Sequence, residues 1–321
     1  FKKFFKNTFN SDYVDFRQKD ILFDVSDPFN FQFNTSINNI DECDFILLIG
    51  ANPRFESTII NSRIRKAVQN GCKVFSIGDP GELHYKYKVI GNNLTILDDI
   101  IYGNITESKI LKESKKPMII IGESVLKSEI SNNVISSVKS ILKNINKLNG
   151  FNILHQSASN VGSLLLGLQT NDVKKVYNSD VLYLLNADEV ILNKKNNQFI
   201  IYQGTHGGEN SQFADVILPG AAYSEKDGSF VNLEGRVQRS YKASYPPGYA
   251  KEDWEIFIEI SKKRGVDLGI NSFEDLRNEM IEEYSILGNY DHLPSIDYEK
   301  INYSNHVKKD FKIEIDKIDY F

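Results

Sequence analysis

The stretch Asp44–Gly81 reads DFILLIGANPRFESTIINSRIRKAVQNGCKVFSIGDPG, and its pattern decides the fold class. Phe45–Ile49 (FILLI) is a continuous apolar run, as a strand covered on both faces requires. Gly50-Ala51-Asn52-Pro53 breaks it. Ile59, Ile60, Ile64, Ala67 and Val68 then recur at helical spacing until Asn70-Gly71 stops the helix. Lys73–Ile77 (KVFSI) is a second strand, closed by Gly78-Asp79-Pro80-Gly81. Strand, helix and strand within about thirty residues make a βαβ unit, whose strands are expected to be parallel neighbours.

The same alternation runs outward from this stretch. Helices are expected at Leu94–Ile101, over a long span from Ser124 to Leu148, and at Val161–Leu168. Strands are expected at Pro117–Ile121 (PMIII), Asn152–Leu154, Val181–Leu185 (VLYLL), Gln198–Tyr202 and Asp215–Leu218. Glu225–Arg239 is a Gly- and Asn-bearing loop with short strands. Lys251–Lys263 is a helix with Trp254, Phe257, Ile258 and Ser261 on one face, and Phe273–Tyr284 is a last one. The fold class is therefore α/β, with mostly parallel sheets, helices on both faces, an irregular Gly-rich loop region and C-terminal helices. Along the chain this gives residues 1–30 as an N-terminal extension or interface segment and 31–150 as a first α/β lobe. Residues 151–263 form a second lobe with the ordered loop, and 264–321 a helix with a surface-wrapping tail.

Composition narrows the function classes. The 321 residues carry 38 basic and 43 acidic side chains, a net charge of −5, which gives no reason to expect nucleic-acid binding. No apolar run reaches the roughly 18 residues of a membrane span. The two cysteines, Cys43 and Cys72, cannot supply the usual four ligands of an iron–sulfur cluster. Asn (32), Ile (38) and Lys (30 against 8 Arg) are the residues favoured by an AT-rich genome.

Sites in parallel sheets lie at the carboxyl ends of strands, so the loops after Ile49, Ile77, Ile121, Leu185, Tyr202 and Leu218 carry the candidates. Gly50, Asn52 and Pro53 join a strand to a helix, where backbone N–H groups favour an anion, but the G-x-G-x-x-G fingerprint is absent and Arg54 is the sole adjacent cation. Gly204, His206, Gly207 and Gly208 follow another strand. A His between glycines can serve as a base or a ligand, yet hydrogen bonding of its side chain to loop backbone is the simpler reading, and no second His stands at metal-ligand spacing. Glu225-Lys226-Asp227 and Glu234-Gly235-Arg236 read as salt-bridged loop anchors. No nucleophile elbow, P-loop or kinase set is present, and the residues alone assemble no catalytic constellation.

Several long strings carry a family resemblance. DFILLIGANPRFESTIINSRIRKA (Asp44–Ala67) and FIIYQGTHGGENSQFADVILPGAAYSEKDGSFVNLEGRVQ (Phe199–Gln238) resemble the molybdopterin-oxidoreductase-like portion of the large iron–sulfur subunit of respiratory complex I, the 75 kDa type. YPPGYAKEDWEIF (Tyr245–Phe257), KKPMIIIGES (Lys115–Ser124), NILHQSASN (Asn152–Asn160) and VLYLLNADE (Val181–Glu189) fall in the order that resemblance requires, so it covers about Phe31 to Lys263. It implies a component of NADH:ubiquinone oxidoreductase on the matrix side of the mitochondrial inner membrane. The implied piece is the non-catalytic C-terminal half of a split subunit. Its expected partners are other complex I subunits, first the iron–sulfur-binding N-terminal half and the flavin-carrying module.

In molybdenum-enzyme relatives, the positions matching Gly50, Asn52, Pro53, Gly204, His206, Gly207 and Gly208 help hold the pterin. Here the resemblance implies that they are vestigial, with no cofactor, no metal and no catalytic residue on this chain. The aromatic N-terminal segment and the tail are the expected contact regions. Two alternatives remain: a fragment of an active molybdopterin-dependent oxidoreductase, and a free-standing nucleotide-binding module.

Overall fold

The computed structural model describes residues 1–16, 23–170, 172–188, 190–301 and 312–313. The chain forms two compact units that interleave in sequence. One comprises Lys19–Val161, Val231–Arg236 and Leu293–Phe321; the other comprises Phe1–Gln18, Gly162–Phe230 and Val237–His292.

The first unit is built on a five-stranded sheet of β1 (Phe45–Ile49), β2 (Lys73–Ile77), β3 (Lys88–Gly91), β4 (Pro117–Ile121) and β5 (Phe151–Ile153), in the order β3-β2-β1-β4-β5. All pairings are parallel, with Phe45 level with Lys73 on one side and Pro117 on the other. Every residue of β1 and of β4 is buried, which is why both read as unbroken apolar runs rather than alternating ones. Helix Thr58–Gln69 packs Ile60, Ile64 and Ala67 on the sheet through the core that also holds Ile46, Leu48, Met118 and Ile120. Cys43 and Cys72 belong to this core as free thiols. Asn152 fixes its far edge: its side chain accepts from Thr35 N–H (2.8 Å) and donates to Gly150 O (3.0 Å).

Two features depart from the sequence reading. The long helix expected from Ser124 to Leu148 is two helices, Glu123–Leu126 and Ser131–Asn144. Tight turns intervene, with Ser128 N–H bonded to Val125 O and Ser131 N–H to Ser128 O. Neither a Pro nor a Gly marks the break, so periodicity alone runs across it. Strand β3 and helix Thr106–Glu113 were not expected; β3 is a half-exposed edge strand and shows no buried pattern.

The second unit holds a parallel sheet of β6 (Val181–Leu185), β7 (Phe199–Gly204) and β8 (Val216–Pro219), in the order β6-β7-β8. One face buries Leu182, Leu184, Ile200 and Tyr202. The other packs Tyr183 and Leu185 into an aromatic cluster with Phe4, Phe257, Ile258, Leu268 and Ile270. The N-terminal aromatics expected as an interface are thus largely spent inside this unit. Helix Lys2–Phe9 inserts Phe4, only 2% exposed, with Phe1 and Phe5 beside it. Helix Asp253–Lys263 opens with a capping box between Glu252 and Glu255. The two short strands of the Gly-rich region, β9 (Gly228–Val231) and β10 (Val237–Ser240), pair with each other. Of the tail, residues 302–311 and 314–321 lie outside the described residues.

Candidate functional site

In the five-stranded unit β1 is followed by β2 on one side, while β4 and β5 lie on the other, so the strand order reverses between β1 and β4. Ligands of parallel sheets bind at the carboxyl end of that reversal. Here it is bounded by Gly50–Pro53 and Gly122–Glu123. Asn52 is 8% exposed and fully employed. Its Oδ1 accepts from Arg54 N–H (3.2 Å) and Phe55 N–H (3.4 Å), capping the Pro53–Glu56 turn, while its Nδ2 donates to Pro80 O (2.7 Å). Pro53 stands at the first helical position, where its missing N–H costs nothing. Gly50 is required twice: its φ is +56°, and a Cβ there would lie 2.5 Å from Val125 Cγ2 and 3.2 Å from Ile313 Cγ2.

The structure adds residues that the sequence reading passed over. Glu56 and Glu123, 8% and 4% exposed, converge on Gln156. Gln156 donates its Nε2–H to Glu56 Oε1 (3.3 Å) and its backbone N–H to Glu123 Oε2 (3.3 Å). Glu56 Oε2 also accepts from Asn52 N–H (3.0 Å), and Lys127 Nζ lies 3.9 Å from Glu123 Oε1. Burial, reinforced by the charge of Glu123, pushes the Glu56 carboxyl up to about 7, against the hydrogen bonds from Gln156 and Asn52 and the charge of Lys127. The available signal was a Glu one turn after an Asn-Pro helix start, reaching back to the cap N–H much as in a capping box.

This raised acidity has a measurable consequence. The folded Glu56 holds its proton up to about pH 7, whereas the unfolded one loses it near 4.5. Stability therefore falls as pH rises across that window and levels off above it, by up to about 3 kcal/mol. Glu56→Gln keeps the shape and, after a flip of the Gln156 amide, the hydrogen bonds. It is expected to flatten this slope and to be more stable than the parent at pH 8. Urea titrations between pH 4.5 and 8 check it; an unchanged slope contradicts it.

The arrangement does not fit a pterin dinucleotide, whose phosphates need N–H groups and cations. Carboxylates line the reversal point, and the two loops close on each other. A Cβ on Gly122 would overlap the Gly50 carbonyl oxygen and come within 2.5 Å of the Ala51 Cα. Ile313, 4% exposed and held by its N–H on Asn92 O (2.7 Å), lies against Gly50.

The other candidate loop belongs to the three-stranded unit. Tyr202 is buried, and its hydroxyl lies between the Asp188 carboxylate and the His206 carbonyl oxygen (2.8 Å). Burial and the Asp188 bond push this phenol up to about 12. The glycines accommodate that latch. A Cβ on Gly204 would sit 2.5 Å from the Tyr202 hydroxyl oxygen, and one on Gly208 would sit 3.0 Å from Asp188 Oδ1. Gly207 has only ordinary contact space, 3.4 Å from Ser211 Oγ. The His206 side chain is exposed, with Nδ1 3.0 Å from Thr205 Oγ1; it is the His206 backbone that is held, not its ring by the backbone. Tyr202→Phe is expected to cost about 0.5–1.5 kcal/mol by removing the hydroxyl's hydrogen bonding to Asp188 and the His206 carbonyl, whose residues are exposed and can turn to water, read as a lower denaturation midpoint.

The remaining charged candidates are anchors. Lys226 pairs with Asp253, Glu225 accepts from Ala222 N–H (2.9 Å), and Asp227 accepts from Lys242 N–H (3.1 Å). Glu234 accepts from Ile37 N–H (2.7 Å). His155 is buried with Nε2 on Phe31 O (2.8 Å), and burial draws it down to about 4, so the ring is neutral. His306 lies outside the described residues. Among the described residues no three His, Cys, Asp or Glu side chains cluster as a metal site, and no helix is long and apolar enough to cross a membrane. A cavity of about 260 Å³ in the three-stranded unit is lined by Val14, Phe16, Leu168, Val176, Leu182 and Leu184. Its one charged side chain among the described lining residues, Asp15, already accepts from Thr170 N–H (3.0 Å), so the cavity offers a nucleotide no side-chain cation.

Burial pushes both thiols up to about 12. Cys43 and Cys72 are expected to react with an aromatic disulfide about a thousandfold more slowly in the folded chain than after unfolding, and equal rates would contradict their burial.

The molybdopterin oxidoreductase family profile matches residues 1–263. The chain belongs to the molybdopterin oxidoreductase family. It is 42% identical over 258 residues to the NADH-ubiquinone oxidoreductase 75 kDa subunit of Reclinomonas americana, covering 77% of this chain and 37% of that one. It is 37% identical over 309 residues to a NADH-quinone oxidoreductase subunit of Rickettsia felis, covering 95% and 46%. The corresponding NADH-quinone oxidoreductase subunit of Rickettsia prowazekii is 39% identical over 292 residues, covering 89% and 43%. The chain thus spans less than half the length of these relatives. The solved structure of acetylene hydratase from Pelobacter acetylenicus aligns over 83% of this chain and 56% of that one, with a TM-score of 0.47 and 12% identity.

Proposed function

We propose that this chain is the molybdopterin-oxidoreductase-like portion of the large iron–sulfur subunit of respiratory complex I, present as a separate half of that subunit. Its role is architectural: it supports the NADH-oxidising module of the matrix arm and carries no electron-transfer centre. The reading is supported by sustained identity to the NADH-ubiquinone oxidoreductase 75 kDa subunit of Reclinomonas americana and to the Rickettsia NADH-quinone oxidoreductase subunits over most of the chain. The observation that carries the cofactor-free part is the filled β1–β4 reversal point. There Gly122 presses on Gly50 and Ala51, Ile313 covers Gly50, and Glu56 and Glu123 stand where phosphates would need cations. The partners that follow are the iron–sulfur-binding half and the flavin-carrying module, on the matrix side of the mitochondrial inner membrane. The Asn, Ile and Lys bias accords with a mitochondrial gene.

The competing reading is a fragment of an active molybdopterin-dependent oxidoreductase. Elemental analysis of the natively purified chain separates the two. Molybdenum and tungsten at background are expected, and either metal in stoichiometric amount overturns the architectural reading.

A further inference from the structure

Two buried acids of the five-stranded unit share one partner. Gln156 donates its backbone N–H to Glu123 Oε2 and its Nε2–H to Glu56 Oε1, each at 3.3 Å. One residue after β5 is thereby tied to the loops that follow β1 and β4. Lys127, from the same loop as Glu123, stands 3.9 Å from Glu123 Oε1. The charges that act on Glu56 are those of Glu123 and Lys127. On its own turn, Arg54 is engaged by Glu82 O (3.0 Å) and by the Glu82 carboxylate (3.5 Å). Beside Gln156, the His155 ring is neutral and sits on Phe31 O. Two carboxylates at 8 and 4% exposure beside one ammonium are one negative charge too many.

Both Glu56 oxygens accept here, Oε1 from Gln156 and Oε2 from Asn52 N–H. A proton on Oε1 is accommodated when the Gln156 amide turns over and offers its own oxygen. Without that proton, Glu56 and Glu123 are both charged, and Glu56 is better solvated once Gln156 lifts away and admits water. The segment that would lift lies at the surface. Ser157 and Ala158 are exposed, and Ser159 holds a φ of +61°, a left-handed conformation unfavourable to serine. The chain then leaves the five-stranded unit between Val161 and Gly162.

We propose that Glu56, Gln156 and Glu123 form a proton-operated clasp on a segment that leads from one unit to the other. With Glu56 protonated, residues 156–160 are held to the loops after β1 and β4; with Glu56 ionised, they are released. Release returns Glu56 to its ordinary acidity near 4.5, whereas burial in the closed clasp raises it to about 7. Opening therefore becomes easier as pH rises across that window and no easier above it.

Hydrogen exchange on the full chain tests this, with each rate divided by the unfolded-chain rate at the same pH. The opening constant of residues 156–160 is expected to rise on the order of fiftyfold between pH 5 and 7.5. It should not respond to dilute urea, because a local opening exposes little surface. Glu56→Gln is expected to abolish the rise. Glu123→Gln removes the second charge, leaves Lys127 to Glu56 and is expected to shrink it. A pH-independent opening constant overturns the proposal. So does exchange of residues 156–160 with the urea dependence of the β1 and β4 amides, which would mean that only the whole unit opens. A rise that persists in both variants also overturns it.

Discussion

Gly122→Ala is expected to lower the stability of the five-stranded unit by about 3 kcal/mol or more, because the added methyl meets backbone rather than a movable side chain. It would overlap the Gly50 carbonyl oxygen and lie 2.5 Å from the Ala51 Cα, and neither can retreat without breaking the bonds that extend the sheet. Gly122 N–H donates to Ile49 O (2.9 Å) and Gly50 N–H to Ile77 O (3.0 Å). In thermal unfolding this is a fall of roughly 10 °C for a unit of this size. Gly207→Ala adds the same methyl in ordinary contact space and is expected to leave the midpoint unchanged. If Gly122→Ala melted with the parent, the two loops would not be closed on each other, and the misfit to a pterin would lose its main support.

The second large effect is expected at Phe257. Its ring lies 5.5 Å from Phe1, 4.9 Å from Phe4 and 5.7 Å from Tyr183, at 5% exposure, so it joins helix Asp253–Lys263 to β6 and to helix Lys2–Phe9. Phe257→Ala is expected to cost about 3–5 kcal/mol. Hydrogen exchange checks where the loss falls. The amides of Lys2–Phe9 should lose protection together with those of β6, because the N-terminal helix is held by this ring cluster. Protection of Lys2–Phe9 that survives the substitution would contradict that packing.

What could be read from the sequence follows from burial. FILLI and PMIII announce themselves because both faces of β1 and β4 are covered, and the order of the central elements comes with them. Strand β3 is invisible because Lys88 and Val89 are exposed at the sheet edge, where no apolar pattern is needed. The N-terminal aromatics divide between packing and surface, with Phe9 and Tyr13 left exposed. Phe1, Phe4 and Phe5 carry the chemistry of an interface, and only the fold shows that their partner is the chain's own helix Asp253–Lys263 and β6.

The site divides in the same way. Gly50, Asn52 and Pro53 are legible as a strand-to-helix turn, and Gly204 to Gly208 as a fixed loop. Glu56, Glu123 and Gln156 are not, because their meeting depends on contacts 33 and 100 residues apart in sequence. A search for cations around an anion-binding turn also looks past the carboxylates that make the turn unfit for one. The Tyr202–Asp188 latch, not the His206 ring, explains Gly204 and Gly208 of the second loop.

As proposed, this chain is half of a complex I subunit and works only in company. Affinity isolation from its own source in mild detergent, with every co-purifying chain identified by mass, tests it most directly. Stoichiometric recovery of a cysteine-rich iron–sulfur chain together with a flavin-carrying one is the predicted result. Recovery of this chain alone, as a monodisperse species, would contradict it.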